Sequence, residues 1–136
     1  MSITTTVSLG EFLDKLTILE IKSERITDPE KLANVRRELE TLRRTWAASE
    51  YAGREIEPEY SRLKSVNERL WEIEDAIREK ERRQDFDEEF IRLARAVYFT
   101  NDERAALKKA LNLRLGSELV EEKSYTDYAM LPSTAR

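Results

Sequence analysis

Glycine and proline are scarce in this chain, and their scarcity constrains the fold more than any other feature. Only three of each occur in 136 residues. Strands joined by tight turns need these residues at most reversals, because glycine supplies a positive φ and proline presets the turn. Charged residues make up 38% of the chain and hydrophobic residues 40%, which suits amphipathic helices around one core. The sequence therefore predicts an all-α protein, a single helical domain over residues 1–136 that is ordered over about 7–128.

Capping residues mark the first two helices. Ser8 precedes an apolar periodicity, and Glu11 completes a capping box with it. Asp28 is followed directly by a proline, which favours a second helix start. The two predicted helices cover residues 9–26 and 29–48. Since the link between them is short, we expect an antiparallel helical hairpin.

The second half of the sequence predicts three more helices. Apolar spacing indicates helices over 58–83 and 86–98. A capping-box pattern at residues 100–103 predicts a fifth helix, which Gly116 should end in a left-handed conformation. The segment 117–128 fits either an extended chain or a short helix. We therefore expect a compact bundle of about five helices, with frayed termini.

The absence of cysteine and histidine excludes several function classes. It rules out disulfides, thiolate or imidazole zinc sites and catalysis by Ser-His-Asp or Cys-His groups. The net charge of −4 and the interleaving of acids with bases argue against nucleic-acid binding. No apolar run approaches the roughly 20 residues of a membrane helix, and the first residues do not resemble a signal peptide. We expect a cytoplasmic protein that does not insert into a membrane and uses no cofactor.

Three polar residues interrupt the apolar faces of the predicted helices. Glu20 falls within the apolar arc of the first helix, while Asn67 and Glu74 fall within that of the third. A carboxylate that faces a core must be paired, hydrogen-bonded or neutral, because its desolvation is costly. One interpretation is a set of structural ion pairs with arginines. The other is a polar pocket between the first, third and fifth helices, which also receives Arg104 and Lys108 and binds an anionic small molecule.

Paired carboxylates support a third interpretation, metal-assisted hydrolysis. Glu72 with Asp75, and Asp85 with Glu88, have the i, i+3 spacing that places oxygens around Mg²⁺. However, a chain with 28 acidic residues contains such pairs by chance. The sequence leaves open whether the protein is an enzyme.

Four segments of the chain resemble a family of small bacterial all-helical proteins of unknown function, which occur alone or beside genes for glycosyltransferases and surface polysaccharides. The segments are residues 8–22, 67–75, 100–104 and 116–125. The resemblance covers about residues 7–128. It implies a link to surface-glycan metabolism, but it assigns no reaction and no catalytic residue.

The resemblance also favours one site that joins polar residues of several helices with one residue of the C-terminal segment. With the residues of the polar pocket, the candidate ligand-binding residues are Glu20, Asn67, Glu74, Asn101, Arg104, Lys108 and Lys123. The leading hypothesis is a helical interaction or small-molecule-binding module, with a protein partner or a homodimer also expected. The alternative is a carboxylate- and Mg²⁺-dependent enzyme that acts on a phosphorylated sugar or nucleotide.

Overall fold

The computed structural model describes residues 1–128, which contain four helices and no strand. The helices are α1 (Leu9–Arg25), α2 (Pro29–Ala47), α3 (Glu59–Arg82) and α4 (Glu88–Leu115). The prediction of an all-helical fold is confirmed, but the expected count of about five helices is one too high. The fraying expected near the C-terminus lies outside the described residues.

The first two helices begin at the predicted caps. The Ser8 hydroxyl accepts a hydrogen bond from the amide of Glu11 at 3.1 Å. The Asp28 carboxylate accepts one from the amide of Lys31 at 3.0 Å, and proline occupies the first turn of α2. In the described chain, α2 packs against α1 alone. The hairpin of α1 and α2 therefore attaches to the rest of the protein through α1.

The predicted fourth and fifth helices are one continuous helix, α4. Its N-cap is Asp87, whose carboxylate accepts a hydrogen bond from the amide of Phe90 at 2.9 Å. Gly116 ends it with a φ of 69°, as predicted. The capping-box pattern beginning at Thr100 misled the prediction: Thr100 lies inside the helix and is only 5% exposed. Packing against α3 keeps the helix unbroken there.

A core of leucines joins the two helical hairpins. It contains residues from all four helices: Leu13, Leu16, Leu19, Leu39, Leu63, Leu111 and Leu115. Trp46 of α2 packs against this cluster, and its ring stacks on Phe12 with the centroids 5.9 Å apart. Among the described helices, none is both long and apolar enough to span a membrane.

The hairpin of α3 and α4 is longer than the helix that covers it. α4 has 28 residues and α1 has 17, so they measure roughly 42 and 26 Å. Within the described chain, the hydrogen bonds between side chains of α1 and its neighbours that lie nearest to the turn between α3 and α4 involve Glu72 of α3 and Arg104 of α4. We call residues 76–95, which include the turn between α3 and α4, the projecting end.

The segment after α4 adopts no regular secondary structure over residues 117–128. It runs back along α4, where Glu121 meets Lys108 and Lys123 meets Asp102. Of the two conformations that the sequence allowed, the extended one is found. We call this segment the strap.

Candidate ligand-binding site

Helix α1 is buried on two faces. Leu13 and Leu16 face the leucine core, whereas Gly10, Asp14 and Thr17 form a second buried line at i, i+4 and i+7. This second line lies against α4 and α3. A Cβ atom on Gly10 would stand 2.3 Å from the backbone carbonyl oxygen of Lys108, so glycine allows the close approach of α1 to α4.

Asp14 is the centre of a buried polar network, and only 1% of it is exposed. Arg104 donates one hydrogen bond to each oxygen of the Asp14 carboxylate: Nε lies 2.9 Å from Oδ1 and Nη2 lies 2.5 Å from Oδ2. The amide nitrogen of Asn67 donates to Oδ1 at 2.9 Å and to the hydroxyl oxygen of Thr17 at 2.8 Å. Thr17 in turn donates to the Asp14 carbonyl at 2.7 Å. The network therefore fixes the plane of the Arg104 guanidinium.

Two further side chains of α4 complete the contact with α1. The side-chain oxygen of Asn112 accepts a hydrogen bond from the amide of Gly10 at 2.6 Å. The ammonium of Lys108 lies 2.5 Å from Glu11 and 3.4 Å from Glu121 of the strap. Arg104, Lys108 and Asn112 on α4 thus pair with Asp14, Glu11 and Gly10 on α1, in that order.

The ion pairs keep both cations of this line protonated. The hydrogen bonds that Arg104 donates to the Asp14 carboxylate raise the pKa of its guanidinium above the ordinary value. Burial opposes the charge of Lys108, but its bond to Glu11 and the neighbouring carboxylates outweigh that effect and raise its pKa. Both groups therefore remain positively charged in the folded protein throughout the physiological range.

Two clefts meet at Arg104. The strap groove, of about 1200 Å³, lies between α4 and the strap. The Trp71 cleft, of about 420 Å³, lies between α1, α3 and α4. Arg104 and Asn101 line both clefts. A ligand with two chemically different parts can therefore occupy both clefts and contact the same guanidinium.

Several polar atoms around this junction have no partner within residues 1–128. Arg104 uses Nε and Nη2 on Asp14, and its Nη1 donates to no described residue. Asn112 accepts through its oxygen, but its amide nitrogen donates to no described side chain or backbone group. The side-chain amide of Asn101 makes no hydrogen bond within the same part of the chain. The unused groups around Arg104 are thus mainly N–H donors.

The structure brings six of the seven predicted site residues into these two clefts. The Trp71 cleft receives Asn67, Glu74, Asn101 and Arg104, and the strap groove receives Asn101, Arg104, Lys108 and Lys123. Glu20 lies apart from both clefts. It accepts a hydrogen bond from the Tyr60 hydroxyl and lies 3.4 Å from the Lys64 ammonium.

The predicted magnesium ligands are scattered. Glu72 lies 3.5 Å from the guanidinium of Arg25, and Asp85 lies 3.2 Å from the ammonium of Lys80. Asp75 lines the Trp71 cleft, and Glu88 lies in the first turn of α4. Within the described residues, no three acidic side chains converge in a group that would hold a metal ion.

Sequence reasoning missed the residue that organises the site, Asp14. A charged residue beside Leu13 looks like part of a solvated face, because a helix with one buried face is the usual pattern. One signal was present: Gly10 is unfavourable inside a helix and usually has a packing reason there. Asp14 and Thr17 lie four and seven residues after Gly10, on the same side of the helix, and this spacing marks the second buried line.

Comparison with known proteins identifies a family but no function. No curated protein and no solved structure matches the chain. Residues 3–136 match the family described as Family of unknown function (DUF6165). That match spans nearly the whole chain, so the resemblance noted from the sequence is confirmed at the level of a family without an assigned function. The chain belongs to this family of unknown function, DUF6165.

Proposed function

We propose that the protein is a small-molecule-binding module whose ligand presents an anionic group, such as a phosphate, to Arg104. One observation carries the proposal: Asp14 holds the guanidinium where two clefts meet, while Nη1 is left without a described partner. The neighbouring unused donors on Asn101 and Asn112 point to a ligand rich in acceptor atoms.

The ion pair between Asp14 and Arg104 supports binding as well as stability. Arginine has five N–H donors in a planar fork, and Asp14 occupies two of them. The side chain of Arg104 is 29% exposed, whereas Asp14 is enclosed. Because Asp14 already fixes the guanidinium, the Arg104 side chain loses little conformational entropy when a ligand binds its free edge.

Two further lysines line the strap groove. Lys123 of the strap pairs with Asp102. Lys109 is exposed at the groove and makes no ion pair within the described residues. Its ammonium is available to a second oxygen of a phosphate or to a carboxylate.

The resemblance to bacterial proteins encoded near surface-glycan genes suggests the chemical class to test first. Phosphorylated sugars and nucleotide-sugars carry the required anionic group. A cytoplasmic location belongs to the same proposal, as does a role in surface-glycan metabolism. The proposal assigns binding and no reaction step.

Thermal unfolding with a panel of ligands tests the proposal. The panel contains sugar phosphates, nucleotide-sugars, nucleotides and inorganic phosphate. A ligand at about 100 times its Kd stabilises the folded state by roughly 2.7 kcal/mol, which raises the Tm of a domain of this size by several degrees. We expect at least one phosphorylated sugar to do so.

A matched pair of lysine variants localises the effect. Lys109→Ala removes an ammonium from the groove, whereas Lys31→Ala removes an exposed one from α2. We expect Lys109→Ala to weaken the affinity for the stabilising ligand about fivefold. This factor corresponds to the roughly 1 kcal/mol that one exposed charge contact contributes. Lys31→Ala should leave it unchanged. The absence of any Tm shift, or equal losses in both variants, would overturn the proposal.

A further inference from the structure

The Trp71 cleft has an apolar wall and a polar wall. Ile18, Ile21 and Leu70 accompany Trp71 on the apolar side. The polar side carries Asn67, Glu74, Asp75, Asn101 and Arg104. This division is unlike the strap groove, where cations and carboxylates alternate, and it indicates a different kind of ligand group.

Asn67 supplies an oriented acceptor to the Trp71 cleft. The residue is 6% exposed, and its amide nitrogen is used on Asp14 and Thr17. This pairing fixes the orientation of the amide. Its oxygen accepts no hydrogen bond from residues 1–128, although Asn67 lines the cleft. An oriented acceptor on the wall of the cleft, unused by the described residues, is open to a hydrogen bond that a ligand donates.

The rim of the cleft supplies both acceptors and donors. Asp75 makes no hydrogen bond or ion pair within the described chain, and Glu74 is bonded to Arg78 through one oxygen only, at 3.1 Å. Asn101 offers an unused amide, and Arg104 offers Nη1. Two carboxylates at the rim repel a second anionic group, whereas hydroxyl groups donate to carboxylates and accept from N–H groups.

We propose that the Trp71 cleft binds the uncharged ring of a sugar, with one face of the ring against Trp71 and its hydroxyls on the polar wall. The inference rests on the proposed function, because it assigns the uncharged part of the ligand whose anionic group meets Arg104. A pyranose ring has an apolar face of C–H groups and a rim of hydroxyls that match the two walls. A nucleobase offers fewer hydrogen-bond donors to the carboxylates.

Trp71 itself provides the readout. The other tryptophan, Trp46, lies on α2 between Phe12 and Tyr51, away from the cleft. A Trp46→Phe chain therefore reports Trp71 fluorescence alone. The probes are the uncharged methyl glycosides of glucose, galactose, mannose and N-acetylglucosamine, together with the free base uracil and inorganic phosphate. In case Trp46→Phe is unstable, the two indole N–H signals of the unaltered chain in NMR provide the same information.

We expect a saturable change in Trp71 emission with at least one methyl glycoside and none with uracil. Asn101→Ala should weaken glycoside binding about fivefold or more, the effect of one lost hydrogen bond. Lys109→Ala should leave the binding of an uncharged glycoside unchanged, because that lysine lies in the strap groove alone.

The outcomes separate this inference from the proposed function. Stabilisation by sugar phosphates or inorganic phosphate without glycoside binding would overturn the sugar cleft and leave the anion site standing. Glycoside binding without any effect of phosphorylated ligands would support the cleft and remove the anion site. A response of Trp71 to uracil alone would overturn the sugar assignment.

Discussion

The two ends of the α3 and α4 hairpin use charged residues in opposite ways. At the site end, α1 lies across the hairpin and encloses Asp14 with Asn67. At the projecting end, the ion pairs remain on the surface. The Arg82 guanidinium lies 2.5 Å from Glu79 there, with both side chains at least half exposed, and Phe86 is 52% exposed.

This difference shows that burial by a third helix, rather than charge content, makes the site. Exposed ion pairs contribute little to stability, because water screens them. A buried carboxylate costs much desolvation energy and is retained only when its hydrogen bonds are complete. The Asp14 network meets that condition and still leaves donors facing the clefts, a combination typical of functional sites rather than of structural ion pairs.

Removal of Asp14 should give the largest contrast between the two ends. Asp14→Ala leaves Arg104 and Asn67 without their buried acceptor, and we expect a loss of about 3 kcal/mol in the free energy of unfolding. Glu79→Ala at the projecting end should cost far less, because water screens its exposed ion pair with Arg82. Urea unfolding of both variants measures the two values. Similar losses at both ends would contradict the comparison.

Gly10 tests the close approach of α1 to α4. Gly10→Ala places a methyl group against the Lys108 carbonyl, and since that neighbour is backbone, the helices must separate. We expect a loss of about 2 kcal/mol, as in other overpacked sites. Gly53→Ala is the control, because nothing lies within 4 Å of its added Cβ. A Gly10→Ala protein as stable as the Gly53→Ala protein would show that the two helices separate without cost.

Alkaline pH should weaken the contact between α1 and α4, because it removes the charge of Lys108. We expect this effect on stability to be smaller than those of the Asp14 and Gly10 substitutions. The pKa of Lys108 is raised in the folded protein, so its contribution is fully present below the unfolded pKa of about 10.4 and is lost as the pH rises through the higher folded value. We expect Lys108→Met to cost about 1 kcal/mol at neutral pH. The difference between Lys108→Met and the unaltered protein should stay constant up to about pH 10.4 and shrink above it in urea titrations. A difference that stays constant with pH would refute the role of this charge.

The sequence predicted the α4 side of the site better than the α1 side. The polar line of Arg104 and Lys108 was visible as a stripe along one side of the apolar edge of the predicted fifth helix. Its partner on α1 was not, since Asp14 becomes buried only when α1 crosses both α3 and α4. Glu20 was placed at the site for the opposite reason: its position within an apolar arc was read correctly, but that part of the arc faces Tyr60.

The helix count failed for a local reason. A capping box is a pattern of two residues with fixed spacing, and it predicts a helix start only where the preceding residues leave the helical conformation. Thr100 is instead preceded by a helix that α3 stabilises by packing. By contrast, Gly116 ended α4 as expected, because the left-handed conformation at that point strongly favours glycine.

The most direct test of the site is an NMR titration of the ¹⁵N-labelled protein with glucose 1-phosphate and with UDP-glucose. The account predicts that one of them shifts the signals of the Trp71 indole, the Asn101 side-chain amide and the Arg104 Nε group, while the signals of α2 and the projecting end stay in place. Signals that remain unchanged with both ligands, or that move only at the projecting end, would contradict it.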